Sequence, residues 1–358
     1  MSLLTSVDAH TSQVDDFRVL LDEALHDFLR ARQDLAPELA AELRELILAG
    51  GKRIRPTFAW WGWRAAGGEP PADAVVRAFV ALELLQCCAL VHDDVMDRSL
   101  TRRGKPSVHE SFAARHRRER WAGSARQYGD SAAILVGDLA LAWADDAIVT
   151  AGLPAEMLAR AWGPWQAMRT EMIMGQHLDL LAVARREESL EHAVRVAALK
   201  TAAYTVERPL HLGAALAGAD EDTVDCLRAY GHDIGVAFQF RDDLMGVFGD
   251  SSVTGKPVGE DLREGKRTPL MSIALSRAQD DPAALRLLRR CLETGALTER
   301  TIDDVRALLV ELGAVAAVEK HIERLAGSGL AALERAVIND EARHELVRLA
   351  RRAVTRTT

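Results

Sequence analysis

The stretch from Asp73 to Asp97, "DAVVRAFVALELLQCCALVHDDVMD", limits what this chain can fold into more than any other. From Ala78 to Val91 it is apolar on almost every face and broken only by Glu83 and Gln86, so as a helix it has no side to give to water. It therefore belongs in the centre of a bundle. The prolines of "GGEPP" suit its first turn. The same two polar residues keep the run short of the roughly 18 apolar residues that cross a bilayer, so no membrane span is expected.

The remaining sequence agrees with helices. "VDDFRVLLDEALHDFLRARQ" and "ELAAELRELILAGG" repeat apolar residues at three and four, and the second ends in Gly50-Gly51, a helix-stop signal. Further helical segments follow, and strand alternation is nearly absent. Loops fall at Arg98 to Pro106 and at Gly249 to Pro269, where glycine, proline and charge gather. No repeat or low-complexity linker marks a boundary. With 48% hydrophobic residues in 358, one large core is affordable, and the expectation is a single all-α domain over 1–358 with 1–35 as an N-terminal helical extension.

A net charge of −8 argues against a nucleic-acid binder, though a local basic pocket for an anion stays open. The four cysteines have neither zinc nor disulfide spacing, and the N-terminus lacks a signal-peptide pattern, so a reducing cytoplasm is expected.

The apolar helix ends in "LVHDDVMDRSLTRRGK". Asp93 and Asp97 are one helical turn apart and share a face, with Asp94 to the side. Same-face carboxylates repel unless a cation sits between them, and an all-oxygen set suits Mg²⁺, which keeps waters and shares its shell with phosphates. A solvated helix end explains one such trio equally well. The chain does it twice, however: "FQFRDDLMGVFGD" places Asp242 and Asp243 at the end of another apolar segment. Two acidic ends suggest two sides of one pocket. The second copy is imperfect, because Gly246 stands four residues after Asp242.

Cations gather in the loops expected near these ends. "GGKRIRP" supplies Lys52 and Arg55, "TRRG" supplies Arg102 and Arg103, and the later loop supplies Lys256, Lys266 and Arg267. Arginine forks and lysine point charges together suit diphosphates. No Walker loop or dinucleotide fingerprint is present. "RHRRER", Arg115 to Arg120, reads as a solvated face, Trp60, Trp61 and Trp63 as core, and His92 as structural.

Taken in order, "GGKRIRP", "DDVMD" with "RRGKP", "GDLAL", "MGQHLDL", "KTA", "FQFRDDL" and "GKPVGEDLREGKRTPL" resemble the trans-isoprenyl diphosphate synthases, and most of all the bacterial geranylgeranyl diphosphate synthases. The resemblance implies antiparallel helices around a deep central cavity, a homodimer, and condensation of isopentenyl diphosphate with an allylic diphosphate. It implies Mg²⁺, three ions with substrate bound, held by Asp93 and Asp97 with Asp94 in support, and by Asp242. Lys52, Arg55, Gln86 and Arg103 would cradle isopentenyl diphosphate, and Arg102, Lys200 and Lys256 the allylic diphosphate. Thr201, Gln239 and Lys266 match positions bordering the reacting groups. No side-chain base is needed, since the family uses the departing diphosphate.

In the family, bulky aromatics four and five residues before the first aspartate stop growth at fifteen carbons. Here those positions hold Ala89 and Cys88, both small, with Leu85 about 5.4 Å deeper. The expected product is geranylgeranyl diphosphate, C20, with the floor also depending on a facing helix around Ile134 to Leu139. Farnesyl or C25 and longer products are the alternatives. A terpene cyclase would have no use for Lys52, Arg55 and Arg103 together, and a non-catalytic subunit of a heteromeric synthase would commonly lack aspartates that are all present here.

Overall fold

A computed structural model describes residues 4–70, 72–249, 259–293 and 297–355. The chain forms two compact units, one of residues 1–163 and 212–218, the other of residues 164–211 and 219–358.

The first unit contains α1 (Leu4–Arg30), α2 (Pro37–Leu48), α3 (Ile54–Ala65), α4 (Asp73–Asp97), α5 (Val108–Glu119), α6 (Ala125–Val149) and the start of α7 (Ala155–Arg185). As expected, α4 lies in the middle, packed by α1, α2, α3, α5 and α6. It is long and apolar enough to cross a membrane by length and composition, contrary to the count of its apolar run, but most of its apolar stretch is buried in the protein. It opens at Asp73, so the "GGEPP" prolines precede the helix and do not form its first turn. Trp60 stacks on Phe17 at 4.8 Å between ring centres, Phe79 meets Phe17 edge-on at 6.3 Å, and Trp60, Trp61 and Trp63 are core residues.

Glu83, in the middle of this apolar helix, is neutralised by Arg53 at 2.6 Å, and Arg53 also holds Asp22 at 2.9 Å. A buried carboxylate needs such a partner, and losing one member of a buried pair costs about 3–5 kcal/mol. Arg53 has φ 48 where the chain turns into α3. It thus ties α1, α3 and α4 together, a role the sequence did not single out.

Between α4 and α5, the expected loop is a minimal hairpin of β1 (Thr101–Arg102) and β2 (Lys105–Pro106), the only strand pair among the described residues. Its turn residues Arg103 and Gly104 have φ 54 and 74, the double positive φ of a type I′ turn.

The second unit contains the rest of α7, α8 (Leu190–Val196), a π-helix (Ala197–Glu207), the start of α9 (Arg208–Ala217), α10 (Glu221–Phe248), the short α11 (Glu260–Arg263), and α12 (Pro269–Arg277) to α16 (Asp340–Val354). Here α10 is central. It packs against the π-helix and against the C-terminal helices α15 (Ala314–Arg335) and α16. The buried Tyr230 donates to the Leu346 carbonyl at 2.6 Å, and Arg241 grips both Glu319 oxygens at 2.6 Å and the Val354 carbonyl at 2.8 Å. The C-terminal helices therefore brace the helix that carries Asp242 and Asp243.

Candidate active site

In the first unit the end of α4 sorts its aspartates by direction. Asp94 is 2% exposed, Asp93 is half-buried and Asp97, the last helical residue, is exposed. Arg102 reaches back from β1: its Nε donates to Asp94 Oδ1 at 2.9 Å, its Nη2 bonds the same oxygen, and Nη2 lies 3.8 Å from Asp93 Oδ2. Burial pushes the Asp94 carboxyl up from the usual carboxylate range, against the pull of Arg102. Arg102 is thus part of the scaffold of the acidic end as well as a cation beside it.

The neighbouring Arg103 sits on the hairpin turn and donates from Nη1 to the carbonyls of Gly50 and, at 3.2 Å, Leu46. Its guanidinium covers Gly51, directly before the exposed Lys52. The loops "GGKRIRP" and "TRRG", more than fifty residues apart, therefore adjoin, and both adjoin the end of α4. Arg55 and Gln86 are half-buried in the same unit.

Along α4, Leu85 is fully buried, Cys88 is 2% exposed and Ala89 is half-buried. Cys88 Sγ lies 3.7 Å from His92 Nδ1, and burial pushes the thiol up to about 12. His92 Nε2 lies 3.1 Å from the Ile134 carbonyl and 3.6 Å from Asp138, so α6 is the helix that faces this stretch. Cys88 is a packing residue in that contact, which leaves Ala89 as the more open of the two small positions.

In the second unit the other aspartate pair repeats the split: Asp242 is exposed and Asp243 is 6% exposed. Gln239 donates to Asp243 Oδ1 at 2.7 Å. Burial, and next the charge of Asp261, push the Asp243 carboxyl well above its ordinary range. Lys266 bridges Asp261 at 2.6 Å and Glu264 at 2.8 Å; burial works against its charge, but these carboxylates outweigh it and hold the ammonium protonated. Lys256 lies outside the described residues.

Lys200 and Thr201 fall in the π-helix. At eleven residues it is long for a rare geometry that usually occurs as a single turn and is frequent at functional sites. Lys200 Nζ donates to Asp179 Oδ2 at 2.6 Å, which joins "KTA" to the "MGQHLDL" segment of α7. The close crossing depends on Gly175, where a Cβ would overlap the Lys200 backbone. Asp179 could not be picked out beforehand as the partner of Lys200, since a 21-residue separation follows no helical or strand period.

Among the described residues no three His, Cys, Asp or Glu side chains form a ready-made metal cage. Carboxylates spaced one turn apart on a helix end instead suit a hard cation whose remaining ligands are water and phosphate.

Acidic helix ends flanked by arginine and lysine loops on an all-helical fold define a trans-prenyltransferase. Residues 36–309 match the polyprenyl synthetase family model, and the chain belongs to that family. It is 34% identical over 262 residues to a short chain isoprenyl diphosphate synthase of Methanothermobacter thermautotrophicus, covering 73% of this chain and 74% of that one. It is 34% identical over 291 residues to a geranylgeranyl diphosphate synthase of Mycobacterium tuberculosis, covering 81% and 76%. Among solved structures, geranylgeranyl pyrophosphate synthase from Corynebacterium glutamicum, complexed with isoprenyl diphosphate and magnesium, superposes with a TM-score of 0.92 at 45% identity, covering 96% of this chain and 99% of that one.

Proposed function

We propose that this prenyltransferase makes geranylgeranyl diphosphate by adding isopentenyl diphosphate to allylic diphosphates. The observation that carries the reading is the meeting of Asp93, Asp94, Arg102, Arg103 and the Gly50–Lys52 turn at one end of α4. A cluster that joins carboxylates to two sets of cations suits a metal-bound diphosphate beside a second anion.

Mg²⁺, three ions with substrate bound, would be held by Asp93, Asp97 and Asp242 and would supply Lewis-acid stabilisation of the leaving diphosphate. Asp94 holds Arg102 in place within the first unit and Asp179 holds Lys200 within the second, so that each would present its charge to the allylic diphosphate without first reorganising. Lys52, Arg55, Gln86 and Arg103 hold isopentenyl diphosphate; Thr201, Gln239 and Lys266 border the reacting groups. The allylic carbon–oxygen bond breaks, its electron pair leaves with diphosphate, the isopentenyl double bond attacks the cation, and diphosphate removes the proton. An apolar wall at Leu85 and Ala89 keeps water from the cation.

The C20 assignment rests on Ala89 and on the relatives. The C. glutamicum and M. tuberculosis proteins carry the geranylgeranyl name, while a relative from Aeropyrum pernix, 33% identical over 263 residues, is a geranylfarnesyl diphosphate synthase. The exposed Ile134 and Leu135 on α6 support a homodimer, and the free cysteines a cytoplasmic setting.

The test of this reading is incorporation of labelled isopentenyl diphosphate by the wild type and by Asp93→Asn and Asp242→Asn. Loss of roughly 10²-fold or more in kcat for both supports it, in line with removal of a transition-state charge stabiliser. Wild-type-like turnover by either variant removes that aspartate from the site.

A further inference from the structure

The second acidic helix end departs from the family pattern at Gly246, one turn beyond Asp242. The place is not vacant. Asp261, from the short helix α11, lays its carboxylate over Gly246, and a Cβ at 246 would overlap both its Oδ2 and its Cγ. The carboxyl carbon of Asp261 therefore lies close to where an aspartate rooted at 246 would carry its own.

Asp261 is held there firmly. Its side chain is 12% exposed, Oδ1 takes Lys266 Nζ at 2.6 Å, and the backbone N–H of Lys266 donates to the Asp261 carbonyl at 3.0 Å. With Oδ1 engaged by the lysine, Oδ2 is the oxygen that leans on α10. It does so on the face that carries Asp242, because residues four apart on a helix lie one above the other.

We propose that Asp261 supplies through space the carboxylate that α10 lacks at 246, acting on the cation held by Asp242 either directly or through one of its waters, and that Gly246 is the notch that admits it. The proposal rests on the reading that Asp242 holds Mg²⁺. Mg²⁺ retains waters and takes only one or two carboxylates, so a ligand or water-anchoring group contributed by a neighbouring segment can serve as well as one on the same helix.

The experiment uses the purified full chain with Mn²⁺ in place of Mg²⁺ and inorganic diphosphate as the anion, with bound metal counted from the free Mn²⁺ paramagnetic resonance signal. Asp261→Asn keeps the size and one oxygen but removes the charge, and it should weaken the affected site roughly 10- to 100-fold. The exchange variant, Asp261→Gly with Gly246→Asp, returns the carboxylate from the helix and should recover most of the lost affinity, with helical circular dichroism confirming the fold. Asp242→Ala should weaken the same site.

Wild-type-like binding by Asp261→Asn while Asp242→Ala is impaired would overturn the proposal and leave Asp261 as a partner of Lys266 alone. An exchange variant that misfolds or stays weak would overturn the exchange of roles. Unchanged binding by Asp242→Ala would instead show that this helix end holds no metal, which removes the foundation of the proposal along with that part of the functional reading.

Discussion

Arg102 Nε donates to the buried Asp94 Oδ1 at 2.9 Å, so the arginine that the family pattern assigns to substrate is anchored by the carboxylate at the end of α4. Its charge is held in place before any ligand arrives. Removing the arginine alone strands a buried carboxylate. Arg102→Met should destabilise the protein by about 3–5 kcal/mol, and Arg102→Met with Asp94→Leu by clearly less. Chemical denaturation of both variants checks this; equal loss in the two would show that the pair is not coupled.

Ala89 and Cys88 differ in surroundings although both are small. A bulky side chain at Ala89 points to the more open position, so Ala89→Phe should shift the product from C20 towards C15 with the fold intact. Cys88→Phe enters the packed contact with His92 and should cost about 1–3 kcal/mol through overpacking. Product chromatography beside a melting curve separates the two, and an unchanged product from Ala89→Phe takes that residue out of the cavity wall.

Gly175 is the crossing point that sets the backbone of Lys200. Backbone atoms cannot swing aside as a side chain does, so Gly175→Ala should displace the π-helix, raise KM for the allylic substrate and lower the melting temperature. Gly163→Ala serves as the control, because nothing lies within 4 Å of a Cβ there. Matching kinetics for the two alanine variants would contradict the account.

The network around Glu207 predicts opposite pH effects from two histidines. His211 Nδ1 accepts from Arg208 Nη1 at 3.1 Å, and burial with the nearby arginines pulls its pKa down to about 4. The unfolded chain, near 6.5, binds a proton that the folded state refuses, so stability present above that value is lost as pH falls towards 4. His232, raised by its bond to Glu207, contributes stability that is complete below the unfolded value and lost as pH rises through the folded one. His211→Gln should flatten the acid side of a melting-temperature profile, and His232→Gln the neutral side. Superimposable profiles would refute the assignment.

The central helix was legible because a segment apolar on every face has only one place to go, and the acidic ends were legible because charge at the end of such a helix demands a reason. Proximity of Lys52 and Arg103 was implied only by the family pattern. The structure supplies the cause, a left-handed hairpin turn that carries Arg103 onto the Gly50 carbonyl. What could not be read were pairings across space with no period: Arg53 with Glu83, Lys200 with Asp179, and Asp261 over Gly246. The π-helix escaped for a related reason: the composition of "AALKTAAYTVE" is that of an ordinary helix, and the close approach of Gly175 to the Lys200 backbone exists only in space.

The most direct test of the account is to incubate the purified protein with Mg²⁺, labelled isopentenyl diphosphate and, separately, dimethylallyl, geranyl or farnesyl diphosphate, and to separate the dephosphorylated products by chain length. The C20 alcohol is expected to dominate with every starter the enzyme accepts. A dominant C15, C25 or longer alcohol would contradict the reading of Ala89 and the α4 wall, and no incorporation with any starter would contradict the proposed reaction itself.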